Sequence, residues 1–346
     1  MAIKTLKKAK QQKADEFYTM FKDIEKELIN YSFYNKIVYC PCDNPTISNF
    51  TKYFKDNFEK LGIKRLVSTC YPQGIMEVVD DKGTRVFQLK GDGDFRSEEC
   101  IRILKNCDVV VTNPPFSLFR EFMSIVFENK KMFVVIGNQN AITYKDIFPY
   151  IKDNKMWIGH TFNKTLDFEV IGDYDYQYVD NEGKKCTKVP AISWFTNMGN
   201  RNREVVLETN VTFEEGNEKG WYQKYDNYDA INVNKTCQIP MDYYGVMGVP
   251  ITALDKLNPK QFEILGMAQR GCHDDFPDIK KYDDYIALKP NGVPTGHTGR
   301  DINENPVLTK NDGKKNYFVH PISGHIVQSL YQRIFIKRKL NKEKYE

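Results

Sequence analysis

The chain has 346 residues, a formal net charge of +4, 41% hydrophobic residues and eight cysteines. That length fits one large or two ordinary domains, and the apolar content excludes a chain that is disordered throughout. No apolar run approaches the roughly 20 residues that span a bilayer, so no membrane partner is expected, and residues 1–13 are basic without the apolar stretch of a signal peptide.

Taken in order, the first 200 residues alternate helix-like and strand-like segments. Residues 23–31 continue a helical pattern with Phe21, Ile24 and Leu28 on one stripe. Residues 36–40 (KIVYC) form a short apolar strand. Ser48 then caps a helix whose buried stripe is Phe50, Tyr53, Phe54, Phe58 and Leu61, stopped by Gly62. Residues 65–70 (RLVSTC) are a second strand, and residues 76–79 and 84–89 flank a turn at Asp80-Asp81-Lys82-Gly83. Ser97 caps a helix with Glu98 and Glu99 in its first turn, where the helix dipole favours them. Residues 108–112 (DVVVT) and 132–136 (MFVVI) read as buried strands around a helix over 117–129 capped by Ser117. Residues 156–159 and 191–196 are later strand candidates.

Apolar strands alternating with amphipathic helices predict an α/β fold: a doubly wound, mostly parallel sheet covered on both faces. Ligands bind such sheets at the carboxyl ends of the strands, which points to residues 40–43, 70–71, 91–95 and 113–116. The pattern weakens after about residue 200, where Asn, Asp, Tyr and Gly become frequent. Only residues 331–337 (YQRIFIK) read there as a clear strand. The division is therefore set at 1–204 and 205–346.

The sharpest signal is Thr112-Asn113-Pro114-Pro115-Phe116, directly after an apolar strand. Two prolines end the ladder and fix an extended, rigid turn. The Asn113 side chain and the Pro114 carbonyl then suit a planar amino group with two N–H donors. An exocyclic adenine amine is a poor nucleophile because its lone pair is delocalised. Acceptors for both of its N–H groups favour a pyramidal nitrogen and stabilise the positive charge that develops on methyl transfer. Phe116 would stack on the base and hold it in line. The alternative is a Pro-Pro turn that merely ends a strand, with Phe116 packed in the core.

Two further loops accompany it. Tyr39-Cys40-Pro41-Cys42-Asp43-Asn44-Pro45 follows the first strand without the glycines of a dinucleotide loop, and Asp43 could receive the amino group of a methionine-type cofactor. Gly91-Asp92-Gly93-Asp94-Phe95 offers carboxylates to an adenine amino group, with Phe95 against the ring. Either could also be an ordinary loop of Asx turns. A Pro41-Cys42 thiolate nucleophile, as cytosine C5 methylation requires, is disfavoured by its place in the first loop. The cysteines form no CxxC pair and read as reduced thiols of a cytoplasmic protein. Cys237, Cys272, His273, His320 and His325 match no common zinc spacing, so no metal is expected.

These strings resemble the EcoRI-type adenine-N6 DNA methyltransferases. The likeness runs through residues 15–19 (DEFYT), 39–50, 91–97 (GDGDFRS), 110–119 (VVTNPPFSLF), 225–236 (YDNYDAINVNKT), 245–252 (GVMGVPIT) and 333–337. It implies the S-adenosylmethionine-dependent methyltransferase fold, S-adenosylmethionine as donor, and an adenine extruded from double-stranded DNA as acceptor. Tyr18 and Thr19 would lie near the methionine end, with Asp43 and Pro45 in the first cofactor loop. Asp92, Asp94 and Phe95 would stand by the cofactor adenine, and Asn113, Pro114, Pro115 and Phe116 would hold the target base. The second strand ends without an acidic residue, so Thr69 or Cys70 occupies the place of the ribose ligand. Residues 205–346 would recognise DNA through Tyr225, Asn227, Asn232, Asn234 and Lys235. The likeness also implies restriction–modification or an orphan or phage enzyme, a cognate endonuclease acting on the same site without a stable complex, and GAATTC as a candidate site. The alternatives are an RNA adenine methyltransferase and a DNA-binding relative without catalysis.

The charge distribution adds a hint. Residues 1–13 carry five lysines and no acid, residues 333–346 carry six basic and two acidic residues, and the body between them has 39 basic and 44 acidic residues. Basic ends would add sequence-independent affinity for phosphates.

Overall fold

The computed structural model describes residues 18–170, 176–181, 183–269 and 275–340. The chain forms two compact units that divide between Asn200 and Arg201.

The first unit opens with β1 (Tyr18–Thr19) and α1 (Phe21–Leu28). Ile24 and Leu28 are fully buried, as the stripe predicts. Glu27 is buried beside them and accepts hydrogen bonds from the backbone N–H groups of His160 and Thr161 at 2.7 and 2.8 Å. The Tyr31 and Thr161 hydroxyls, both at 2.7 Å, complete its shell. Four donors offset the cost of burying this carboxylate and tie α1 to the 160–161 loop.

After β2 (Ile37–Cys40), Ser48 caps α2 (Asn49–Asp56) by accepting from the N–H groups of Phe50 and Thr51. The predicted single helix is broken at Asn57, and α3 (Phe58–Leu61) follows. Asn57 donates its amide back to the Tyr53 carbonyl at 2.9 Å, a local bond that competes with helix continuation. Gly62 ends α3 at φ +60°, and a Cβ there would stand 2.6 Å from the Tyr34 ring.

Next come β3 (Arg65–Cys70), β4 (Ile75–Asp80), β5 (Gly83–Gln88), α4 (Glu98–Lys105) and β6 (Val109–Thr112). They lead to α5 (Phe119–Glu128), β7 (Met132–Asn138), α6 (Phe148–Lys152) and β8 (Trp157–Ile158). The unit closes with β9 (Leu166–Glu169), β10 (Tyr178–Val179), β11 (Lys185–Val189) and β12 (Ile192–Thr196). The main sheet has eight strands in the order β5-β4-β3-β2-β6-β7-β12-β8. β3, β2, β6 and β7 run parallel, and β4, β5, β12 and β8 are added antiparallel. The sheet is thus mixed, with a parallel centre, because the short β3–β4 and β4–β5 connections permit only antiparallel pairing. Val109, Val110 and Val111 have no exposed surface, as a strand covered on both faces requires. A second sheet pairs β1-β9-β11-β10.

One cap differs from expectation. Ser117 does not start the helix after β6: residues Phe116–Leu118 form a 3₁₀ turn, closed by Leu118 N–H to the Pro115 carbonyl at 2.9 Å, and α5 begins at Phe119.

The second unit contains α7 (Phe213–Glu218) and β13 (Gln223–Lys224), β14 (Ile231–Asn232), β15 (Met247–Pro250), β16 (Phe262–Ala268) and β17 (Ile286–Leu288). β18 (Pro294–Thr298), β19 (Val307–Leu308), β20 (Tyr317–Val319), β21 (Ile326–Ser329) and β22 (Arg333–Arg338) complete it. Two five-stranded sheets result, β13-β14-β15-β22-β16 and β18-β17-β20-β21-β19. The single late strand expected from sequence is β22; of the nine others, eight have five residues or fewer, and β16 runs Phe262–Ala268. Phe335 on β22 anchors the unit, with the rings of Tyr228, Phe276 and Tyr225 at 4.7, 5.0 and 5.7 Å.

Candidate active site

The loops after β2, β3 and β6 converge with residues 93–96 on a cavity of about 290 Å³. Its wall includes Tyr18, Thr19, Cys42, Asp43, Tyr71, Asp94, Phe95, Asn113 and Pro115. A larger open groove of about 950 Å³ lies against β3, β4, β5 and α4, but it holds none of the candidate site residues.

Asp43 is the hub of the cavity. It is buried, and its N–H reaches the Thr69 carbonyl at 3.1 Å. One carboxylate oxygen accepts from the Ser48 hydroxyl at 2.6 Å, and the other from the Thr112 hydroxyl at 2.6 Å. Ser48 therefore caps α2 and orients Asp43 at once. Thr112, the last residue of β6, links this loop to the Asn-Pro-Pro turn that follows it. Asn49 donates to the Thr19 carbonyl at 2.8 Å and brings β1 to the cavity. The Thr19 hydroxyl is buried in the wall with no hydrogen-bond partner among the described residues. A buried hydroxyl of this kind calls for a polar ligand atom.

Also in the wall, Arg96 donates to both oxygens of Asp94, at 2.9 Å from Nε and 2.6 Å from Nη2. Those bonds hold the Asp94 carboxyl below the usual range, against the opposing effect of burial. The Arg96 guanidinium also stands 5.6 Å from the Phe95 ring centre. Phe95 packs edge-on against Phe122 at 5.2 Å. Burial first, and the Asp43 charge second, push the thiols of Cys40 and Cys42 well above the ordinary value. A thiolate nucleophile is therefore disfavoured in this loop.

Tyr71, at a strand end the sequence pointed to, is in the wall, whereas sequence reasoning missed Asn49, Arg96 and Leu118, also in the wall. Asn49 had a signal, since it directly follows a capping serine at the end of a candidate cofactor loop. Other expected residues are placed elsewhere. Thr69 is fully buried, with its hydroxyl paired to Tyr39 at 2.9 Å and to the Pro41 carbonyl at 3.2 Å. Cys70 and Pro45 are buried outside the cavity wall, and Asp92 is exposed, with its side chain accepting from the Asp94 N–H. Pro114 is buried behind the wall formed by Asn113 and Pro115. Phe116 is half-buried against the main core and does not line the cavity.

In the second unit, three of the five expected DNA contacts are internal. Tyr225 donates to Asn232 at 2.9 Å, and both are buried. Asn227 is buried too, donating to the Asn305 carbonyl at 2.8 Å and accepting from Val307 N–H at 3.1 Å. Polar side chains matched this closely to internal partners hold loops together. Asn234 and Lys235 are exposed. Of the weighed zinc ligands, Cys272 and His273 lie outside the described residues. His320 pairs with Ser323, and His325 with Tyr285 at 2.8 Å. Among the described residues no helix is long and apolar enough to cross a membrane.

A family model described as "Adenine-specific methyltransferase EcoRI" matches residues 5–87 and 73–339. The chain is 44% identical over 294 residues to Type II methyltransferase M.EcoRI of Escherichia coli, covering 76% of this chain and 88% of that protein. It is 43% identical over 269 residues to Type II methyltransferase M.MgeORF184P of Mycoplasma genitalium, covering 75% and 84%. Type II methyltransferase M.MpnI of Mycoplasma pneumoniae is 41% identical over the same length, with the same coverage. No solved structure matches the chain.

Proposed function

The chain belongs to the adenine-specific methyltransferase EcoRI family, and from that premise we propose that the cavity of about 290 Å³ binds S-adenosylmethionine beside an adenine extruded from duplex DNA. The sheet with its parallel centre is then the S-adenosylmethionine-dependent methyltransferase fold. Residues 1–204 carry the chemistry, and residues 205–346 choose where it happens.

The donor set fits the cofactor. Asp43 is a buried carboxylate suited to an ammonium group, and the Thr19 hydroxyl is a buried polar atom in the same wall that lacks a partner. Phe95 and Asp94, in the same cavity wall, supply a ring face and an acceptor. When bound, S-adenosylmethionine supplies an electrophilic sulfonium methyl group.

This chain's residues do the rest. The Asn113 side-chain oxygen and the Pro114 carbonyl accept the two N–H bonds of the target amine and favour its pyramidal form. The positive charge that grows on that nitrogen meets acceptors already in place, which lowers the barrier without a strong base. Thr112 holds this turn in register with Asp43 through its 2.6 Å bond. That bond carries the proposal, because it joins the candidate donor loop to the candidate acceptor turn.

The test is to incubate the folded chain with labelled S-adenosylmethionine and mixed DNA, with RNA as a parallel acceptor. N6-methyladenine in DNA supports the proposal, and transfer to RNA alone overturns it. Protection of methylated plasmid from an endonuclease that cuts GAATTC tests the candidate site and the implied endonuclease partner.

A further inference from the structure

We propose that Arg333 and Asn234 form a base-reading pair that presents hydrogen-bond donors to the N7/O6 edge of a guanine in the DNA site. This rests on the reading that residues 205–346 choose the site. At one end of the sheet β13-β14-β15-β22-β16, the start of β22 meets the ends of β15 and β16: Arg333 pairs with Pro250 on one side and Ala268 on the other. Asn232, at the end of β14, pairs with Gly248 of β15. One sheet end thus gathers an arginine and two asparagines from strands far apart in sequence.

Hydrogen bonds hold this sheet end together. The Asn232 oxygen accepts from the buried Tyr225 hydroxyl at 2.9 Å and from Arg333 Nε at 3.3 Å. Asn232 donates its amide to the Asn234 oxygen at 3.0 Å, and Arg333 Nη2 donates to the same oxygen at 3.4 Å. Arg333 Nη1 reaches the carbonyls of Tyr331 and Gln332 at 3.3 and 3.4 Å. Both asparagine oxygens are therefore engaged from inside. None of the bonds above uses the Asn234 amide NH₂, whereas the Arg333 guanidinium gives four of its five donors to these oxygens and also interacts with the Tyr225 hydroxyl. Asn234 is exposed and Arg333 is half-buried.

The charge at this place supports a DNA edge over an internal role. Among the described residues no carboxylate forms an ion pair with Arg333. A donor-only pair with a held guanidinium matches guanine N7 and O6, the acceptor pair that arginine reads in the major groove. Lys235 is exposed beside Asn234. Tyr331, 77% exposed, carries the Lys315 ammonium 5.2 Å over its ring. These lysines would meet phosphates and set position without reading sequence.

The test uses the full chain with Arg333→Lys and Asn234→Ala, each first checked for a native circular dichroism spectrum, because the latter also removes the oxygen that accepts from Asn232 and Arg333. Methylated positions are mapped by sequencing DNA from a host that lacks adenine methylation, and kcat/KM is measured on the wild-type site and on its single-base variants. Both substitutions are expected to lower kcat/KM on the wild-type site about tenfold to a hundredfold and to relax selectivity at one guanine. A Lys235→Glu, Lys315→Glu variant is expected to weaken binding to all duplexes alike. Unchanged selectivity in both Arg333→Lys and Asn234→Ala, or equal loss on every duplex, overturns the base-reading pair. If the charge reversal also leaves DNA binding unchanged, the assignment of residues 205–346 to site recognition falls with it. If it weakens binding, only the pair falls.

Discussion

Thr112 is one hydroxyl away from valine, yet its bond to Asp43 spans 69 positions of sequence and joins two loops of the cavity. Thr112→Val keeps the shape of the side chain and leaves a buried carboxylate short of a donor. The expected cost is about 1–3 kcal/mol of stability, read by chemical unfolding, with weaker cofactor binding by calorimetry. Asn113→Ala should separate chemistry from binding: turnover falls about a hundredfold or more, while cofactor affinity stays within a fewfold. An equal loss of both would move Asn113 to the cofactor side. Phe116 poses a different case, because it packs on the main core. Phe116→Ala is therefore expected to lower the melting temperature as well as turnover, whereas a pure stacking residue would spare stability.

At the scale of elements, the loop 91–95 approaches β3 so closely that one position must be glycine. Gly93 sits at φ +84°, and a Cβ there would stand 2.3 Å from the Cys70 carbonyl oxygen. Gly93→Ala should push this wall off the strand end and weaken cofactor binding about tenfold or more, with the rest of the first unit still folded by circular dichroism. Local signals of this kind are legible in sequence. Ser48, Ser97 and Gly62 each act within a few residues, and each is found at the predicted helix end. Burial between distant segments is less legible. Nothing near Tyr225 or Asn232 in sequence shows that each is the other's partner, so buried polar residues resemble a DNA-facing surface. Most of the second unit's strands have five residues or fewer, and β22 finds its partners β15 and β16 far away in sequence, which leaves little period to read. The break at Asn57 depends on one side chain turning back to Tyr53, where the hydrophobic stripe runs on.

For the whole molecule, part of the basic C-terminal stretch is built into the second unit. Arg338 near the C-terminal end is half-buried, lies 5.0 Å from the Phe262 ring and donates to the Pro240 carbonyl at 3.0 Å. It belongs to the fold of the second unit and not to a solvated tail. Acidic residues carry a comparable structural load there. Burial alone would raise the Asp226 carboxyl, but hydrogen bonds from Lys280 and Tyr282, both at 2.7 Å, hold it below the ordinary range. Asp312 is held at about 2 by Gln328 and the backbone of Lys314 and Lys315. A carboxyl whose pKa is depressed on folding contributes stability above its unfolded value, near 4, and loses it as pH falls through the folded one. Asp255, raised by burial, works in the opposite sense and offsets part of the effect. The second unit is therefore expected to melt at progressively lower temperature below about pH 4. Asp226→Asn should lower the melting temperature by a few degrees at pH 7 and by progressively less as pH falls through the lowered carboxyl range and the wild-type side chain takes up its proton. Thermal unfolding across that range checks it, and a difference that stays constant with pH would show that Asp226 acts through packing and not through its charge.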